Sequence, residues 1–433
     1  MAFFERAALN PGVRGREVAA WAMYDFANSG FTTVVLTAVF NAYFVGVVAG
    51  NAPWGTFAWT AALSLSCLLV MVTMPAIGAW ADAHGSKKPL LLVSTVCCVA
   101  ATASLSFAGP GTLALAVVAI VAANYFYSVG ESLIAAFLPE LARPHALGKV
   151  SGWGWSFGYF GGMLALGLCL AYVLSAQKAG ATAAGFVPVT MLITAAIFAV
   201  AAIPTFIWLR ERSRAAEPGA RQGPGAFARL RRTWGQARQF RDFLLLLACG
   251  VSYQSGIAVV IALAAIYAEQ VMGFKQTDTM MLVFLVNIAA AAGAFGFGYA
   301  QDRIGHKRAL QFTLLAWIVM ILVAGLGSSV AAFWVAATIA GLCMGSSQSC
   351  GRAMVGVLAP ADRLAEFYGL WTLAVRLAAI IGPLTYGSIT WATAGNHRLA
   401  ILCTAAFFVV GLLLLARIDM RRGEQAALVA APA

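Results

Sequence analysis

The side chains able to do chemistry in this sequence are few, and most lie inside long apolar runs. Trp21–Phe31 carries Asp25, Asn28 and Ser29, and with Thr32 they fall at i, i+3, i+4 and i+7, one stripe of a helix. A fourth apolar run carries Asn124, Tyr127, Ser128 and Glu131 on one face, and Arg352 and Arg376 lie within two later runs. An ionised group inside a membrane span costs about 2.5–3.5 kcal/mol on insertion scales, so each needs a partner or a water-filled cavity. Asp25 and Glu131 are then candidates for carrying a proton or for gating, although Asp25 could equally anchor a helix end. Arg376 falls ~15 Å into its span by helical rise, near the midplane, where a guanidinium needs an anionic partner from protein or solute. The amides of Asn28 and Gln254, with the Tyr253 phenol, offer hydrogen bonds to a polar solute. Glu131 and Arg352 occupy matched positions in the two halves of the chain. That symmetry suggests an ion pair closing one side of the protein, the alternative being that each bonds within its own half.

Other chemistries find no support. No Gly-x-x-x-x-Gly-Lys-[Ser/Thr] loop is present, since Leu147-Gly148-Lys149-Val150 lacks both the loop and the hydroxyl. His84, His145, His306 and His397 all fall in loops without zinc-like neighbours, and there is no Gly-x-Ser-x-Gly elbow. The eight cysteines lie in apolar runs without metal-ligand spacing. We expect no enzyme activity, no cofactor and no metal.

The elements that must position these residues follow from composition. The chain is 61% hydrophobic and 10% charged over 433 residues, far from a soluble domain. A spanning helix takes ~20 apolar residues. Twelve such runs are legible, at 20–48, 56–80, 89–108, 112–138, 150–175, 186–209, 243–270, 279–300, 309–327, 331–358, 367–393 and 398–416. Arg6, Arg14 and Arg16 precede a first run too long for a cleaved signal, so no signal peptide is expected. With both termini cytoplasmic, only Lys178, Lys275 and Arg398 of the 28 Lys and Arg fall outside, while Arg352 and Arg376 lie within spans. That asymmetry supports an even span count. The net charge of +12 therefore speaks of topology and anionic lipid headgroups, not of nucleic acid.

An internal repeat organises the chain. Gly78-Ala-Trp-Ala-Asp82-Ala-His-Gly85-Ser-Lys87-Lys88 returns as Gly298-Tyr-Ala-Gln-Asp302-Arg303-Ile-Gly305-His-Lys307-Arg308. The first glycine of each copy permits close helix contact, and the second permits φ > 0 in a tight turn. Each aspartate can meet the positive N-terminus of a neighbouring helix. Asp82 is expected near Leu364–Phe367 and Asp302 near Leu147–Val150, as conformational switches bridging the halves. The chain thus divides into a first six-helix bundle (1–209), a basic Pro/Gly-rich linker (210–242) and a second bundle (243–433). Phe227–Phe240 in the linker reads either as a surface helix on anionic headgroups or as solvated chain. In the fifth run Gly154, Gly158 and Gly162 suit tight packing, whereas Trp153 and Trp155 could line a solute path or anchor at the interface.

The repeated turn resembles the signature of the major facilitator superfamily. The likeness sharpens at Trp21-x-x-Tyr24-Asp25-x-x-Asn28-Ser29-x-Phe31, Phe137-Leu138-Pro139-Glu140-Leu141 and Ser151-Gly152-x-Gly154-x-x-x-Gly158-Tyr159-x-Gly161-Gly162. With Ser349-x-x-Arg352, Ala365-Glu366-Phe367-Tyr368-Gly369 and Gly382-Pro383-Leu384, these are similar to the autophagy-related vacuolar effluxer-like family. The chain departs from the pattern at Ala83 and Ser86, where basic residues are common, and at Arg376, where Lys is expected. The resemblance implies an all-α membrane protein of two pseudo-symmetric bundles working by alternating access, with amino-acid export as the family's best-known role. The expectation is a monomeric secondary transporter of a small polar solute, coupled to protons or another ion, in a cell membrane such as a bacterial inner membrane. Two rival classes are a non-transporting sensor or scaffold on the same fold, and a lipid translocase.

Overall fold

The computed structural model describes residues 5–50, 52, 54–212, 240–272, 276–327, 329–393 and 396–430, without the side chains of 56–57, 262–280, 391 and 430. The segment Phe227–Phe240, apart from Phe240 itself, lies outside the described residues. Among the described residues twelve helices are long and apolar enough to span a membrane: α1 Gly15–Val48, α2 Ala58–His84, α3 Lys87–Phe107, α4 Leu113–Leu141, α5 Pro144–Lys178, α6 Ala183–Trp208, α7 Arg241–Ile261, α8 Met281–Ile304, α9 His306–Leu326, α10 Val330–Leu358, α11 Leu364–Thr390 and α12 His397–Ala416. A short α13, Met420–Ala430, follows. Large apolar side chains such as Val72, Val96, Phe160, Val200 and Leu413 are exposed on the spans, as a lipid-facing surface requires.

The two bundles meet along two seams. On one, α5 packs against α8, where Gly152 abuts the Ala294 carbonyl and the Ser156 hydroxyl donates to the Ala291 carbonyl at 3.0 Å. On the other, α2 packs against α11, where Gly78 abuts the Ala365 carbonyl and Gly369 abuts that of Met74. Small residues at these points let two backbones touch, which is how spanning helices associate when lipid removes the hydrophobic incentive.

Both repeated turns lie on the face that also carries the chain ends, here called the terminal face. Gly85 (φ 58°) and Gly305 (φ 90°) take the left-handed backbone that makes each turn tight. Asp82 accepts from the Glu366 N–H at 2.9 Å, and Asp302 from the N–H groups of Gly148 and Lys149, both at 2.9 Å. Each aspartate therefore caps the first turn of a helix in the opposite bundle, so the bundles are clamped together on this face.

Further ion pairs follow the repeat. Glu17 at the start of α1 pairs with Arg212 just beyond α6, at 2.7 Å, and Asp242 at the start of α7 pairs with Arg422 beyond α12, at 2.7 Å. In each bundle the tail of the last helix is tied to the head of the first. Lys87 is fully buried between Asp82, Glu140 and the Phe137 ring, so it braces the turn from within rather than holding it to a headgroup layer. Lys307 instead donates to the Ala416 carbonyl at the end of α12 and to the Ile418 carbonyl just beyond it.

The far half of α1 is irregular. Thr32–Ala38 and Phe44–Val48 wind as π-helix, and the Thr37 hydroxyl donates to the Thr32 carbonyl at 3.0 Å. Hydropathy carries no trace of this, because an extra residue per turn leaves an apolar run apolar. Widened turns of this kind often mark functional sites.

Candidate functional site

The intramembrane charges form two ion pairs, both between bundles. Arg352 on α10 donates through Nη1 to Asp25 Oδ2 on α1 at 2.7 Å. Its Nε and Nη2 donate to the Ser151 hydroxyl (3.1 Å) and carbonyl (2.8 Å) on α5. The guanidinium lies over the rings of Trp21 and Trp155, 4.8 and 5.2 Å from their centroids. Arg376 on α11 donates through Nη2 to Glu131 Oε2 on α4 at 2.7 Å and lies 5.8 Å from the Tyr127 ring centroid.

This corrects the expected pairing of Glu131 with Arg352. Equal depth does not make two helices face each other. In this fold α4 faces α11, while α10 packs on α5 and so meets α1 through it. Glycine makes that second meeting possible. A methyl on Gly154 would collide with the Asp25 carboxylate and the Arg352 guanidinium, and one on Gly158 with the Ser29 hydroxyl. The Gly154–Gly158–Gly162 row is thus a packing device, and what it packs is the ion pair.

The two pairs differ in character. Arg352 and Asp25 are 7% and 10% exposed, with every guanidinium nitrogen bonded across the seam. Glu131 is 33% exposed and Arg376 14%, and the Arg376 Nε has no hydrogen-bond partner among the described residues. A carboxylate at that depth is costly against lipid, so its exposed third calls for water or a polar solute beside it. The first pair is enclosed and fully bonded; the second keeps a part-exposed carboxylate and an unbonded guanidinium nitrogen.

Around them are buried polar atoms without partners among the described residues: both amide atoms of Asn28, Trp155 Nε1 and the Tyr253 hydroxyl. An unsatisfied buried polar group costs about 1–3 kcal/mol. Asn28 lies one turn from Asp25, Trp155 lies against Arg352 and Tyr253 against Gly351, so these atoms gather near the Asp25–Arg352 pair. Gln254 differs from expectation, because its amide exchanges hydrogen bonds with Gln348 at 3.0 and 3.4 Å. Tyr253 is fully buried against Gly351 and near Trp371. Trp153 bonds Tyr299 across the seam at 3.3 Å and anchors no interface, whereas Trp155 lies under Arg352. Asn124 donates to Ser66 within its own bundle, so the α4 stripe divides between structure and site. Sequence reasoning gave no site role to Ser151, Trp21, Gln348 or Trp371, although Trp21 and Ser151 each open a motif quoted above and Gln348 stands out among the α10 serines. Among the described residues no group of three His, Cys, Asp or Glu could hold a metal.

Comparison with known proteins bears on this arrangement. The family model described as vacuole effluxer Atg22-like matches residues 43–428. The chain belongs to the Atg22-like family. An uncharacterized MFS-type transporter of Bacillus subtilis, YxiO, is 25% identical over 412 residues, covering 92% of this chain and 93% of that one. Autophagy-related protein 22-1 of Aspergillus niger is 28% identical over 304 residues, covering 65% of this chain and 48% of its own length. The chain thus spans about half the length of that fungal relative. Among solved structures, the human organic anion transporter MFSD10 superposes with TM-score 0.71 at 15% identity, over 92% of this chain and 99% of that one. FucP in its outward conformation gives 0.68 at 14%, over 93% and 98%. This Atg22-like protein is therefore a multi-pass membrane transporter of the major facilitator superfamily.

Proposed function

We propose that this Atg22-like protein carries a small polar solute, an amino acid or related compound, by alternating access, with efflux as its direction and protons as the coupling ion. The terminal face is read as cytoplasmic, because it holds the basic turns and linker. The bundles, clamped there by Asp82, Asp302 and the Asp25–Arg352 lock, then stand closed to the cytoplasm. The observation that carries the reading is the unpartnered Asn28 amide, 5% exposed and one turn along α1 from Asp25, in a protein whose other intramembrane pair, Glu131–Arg376, is half open. A solute carboxylate can take the free edge of the Arg376 guanidinium, and its polar groups the Asn28 amide and Tyr253 hydroxyl. Glu131, released from Arg376 when the bundles rock apart, becomes free to take a proton. The 1–209 and 243–433 units move as the two rocking bodies.

Ligands that bind only the folded state raise its apparent stability by mass action. A thermal-shift screen of the purified protein against amino acids, small peptides and organic anions should yield solutes whose shift is lost in Asn28→Ala and Arg376→Gln. Solutes that stabilise both variants as well as the parent would place binding elsewhere.

A further inference from the structure

The seam beside Asp302 holds a second feature, separate from the central polar region. A cleft of about 360 Å³ opens on the terminal face, lined from one bundle by Glu5, His145 and Lys149 and from the other by Tyr299, Asp302 and Arg303. Most of its charges are already used. Asp302 accepts from the first N–H groups of α5, and Glu5 pairs with Lys149 at 2.9 Å. The Lys149 ammonium also lies 4.7 Å from the centroid of the Tyr299 ring, so it faces the cleft from the bundle opposite Tyr299. The donors left over are the His145 imidazole and the Arg303 guanidinium, one from each bundle; neither makes a hydrogen bond with a described residue, although His145 lies within electrostatic reach of Asp302.

The equivalent seam at Asp82 has no such surplus. There Lys87 pairs with Glu140, the Lys88 ammonium donates to the Leu209 carbonyl, and Arg363 pairs with Glu366. The Lys87 and Lys88 N–H groups donate to Glu211. The repeat predicts two equivalent seams, and one of them has unspent donors around a cavity.

We propose that this cleft binds a phosphate group, held by Arg303 from one bundle and by His145 and Lys149 from the other. Arg presents a fork of N–H donors matched to phosphate oxygens, and the His145 imidazole and Lys149 ammonium approach from the opposite wall. A group bridging the seam exists only while the bundles are closed on this face. Its binding therefore shifts the population toward that closed state, which makes the cleft a regulatory site. The phosphate belongs either to a free small anion or to an anionic lipid headgroup at the membrane edge.

The test is direct binding to the purified full chain, so it does not depend on which solute the central region carries. In detergent, inorganic phosphate is titrated at constant ionic strength, balanced with chloride, and thermal stability is followed. In parallel, the protein is placed in nanodiscs of phosphatidylcholine with or without phosphatidylglycerol. Stabilisation by phosphate assigns the site to a free anion; stabilisation only by phosphatidylglycerol assigns it to a headgroup. In either case His145→Gln and Arg303→Gln should each raise the apparent Kd, or the lipid fraction needed, by about tenfold or more, the effect of losing one charge-assisted hydrogen bond. Both positions are on the surface, so the variants should keep the parent's stability without phosphate. Absence of stabilisation in both arms, or equal stabilisation of the double variant, overturns the proposal.

Discussion

Replacing Arg352 with Met should release the terminal face. The guanidinium makes three hydrogen bonds of 2.7–3.1 Å, to Asp25 and Ser151, all from one bundle to the other. None can survive separation of the bundles, so their whole contribution favours the closed state. Two charges at this distance attract by roughly 6 kcal/mol at an effective dielectric near 20, before desolvation is subtracted. Breaking a buried pair by removing one partner costs about 3–5 kcal/mol. Taking ~4 kcal/mol, the ratio of closed to open protein falls about a thousandfold. Spin labels at Pro144 and Ala361, both exposed and one in each bundle, would report this in a background without native cysteines. The parent should give a short distance, and Arg352→Met a long one. Asp25→Asn keeps the Ser151 bonds and should shift less. Gly154→Ala should resemble Arg352→Met, because its methyl occupies the space between Asp25 and Arg352. An unchanged short-distance peak in Arg352→Met would show that the pair is not what holds this face shut.

Four other substitutions separate seam contact, bundle packing, helix capping and proton coupling. Gly152→Ala puts a methyl against the Ala294 carbonyl of the opposite bundle and should open the seam, whereas Gly345→Ala collides with Ala290 inside its own bundle and should lower the thermal midpoint instead; labelled distances and calorimetry on both variants check this. Asp82→Asn weakens a helix-terminus contact by about 1 kcal/mol and should increase the reactivity of cysteines placed in the α2–α11 seam roughly fivefold. Glu131→Gln should abolish pH-driven uphill transport while leaving downhill exchange measurable, since the lock at Arg352 is untouched. Uphill transport that persists with its pH dependence would leave Glu131 a structural partner of Arg376.

Much of the fold was legible because it is written locally or twice. Hydropathy placed the described spans within about six residues of their helix ends, the seventh helix continuing to Met272, and the repeated Gly-Asp-Gly turn placed Asp82 against Glu366 and Asp302 against Gly148. The pairing of the charges was not legible. Residue position along a span gives depth, but which helices face each other depends on packing around the pseudo-symmetry axis. Glu131 and Arg352 share a depth, yet the glycines of α5 bring Asp25 to Arg352 first. The π-turns of α1 leave no mark on an apolar sequence. The clamps Glu17–Arg212 and Asp242–Arg422 could have been found by aligning helix starts and tails across the repeat. Gln254 looked like a free amide because its partner Gln348 lies on another helix.

Transport requires that the polar region between the bundles bind a solute and release it on the other side. Proteoliposomes containing the purified protein, loaded with a stabilising solute from the thermal-shift screen, measure this most directly. Saturable counterflow of labelled solute is predicted, lost in Asn28→Ala and Arg376→Gln and retained in His145→Gln. A solute that binds through Asn28 and Arg376 yet shows no flux in either direction would contradict transport and leave a sensor on a transporter fold.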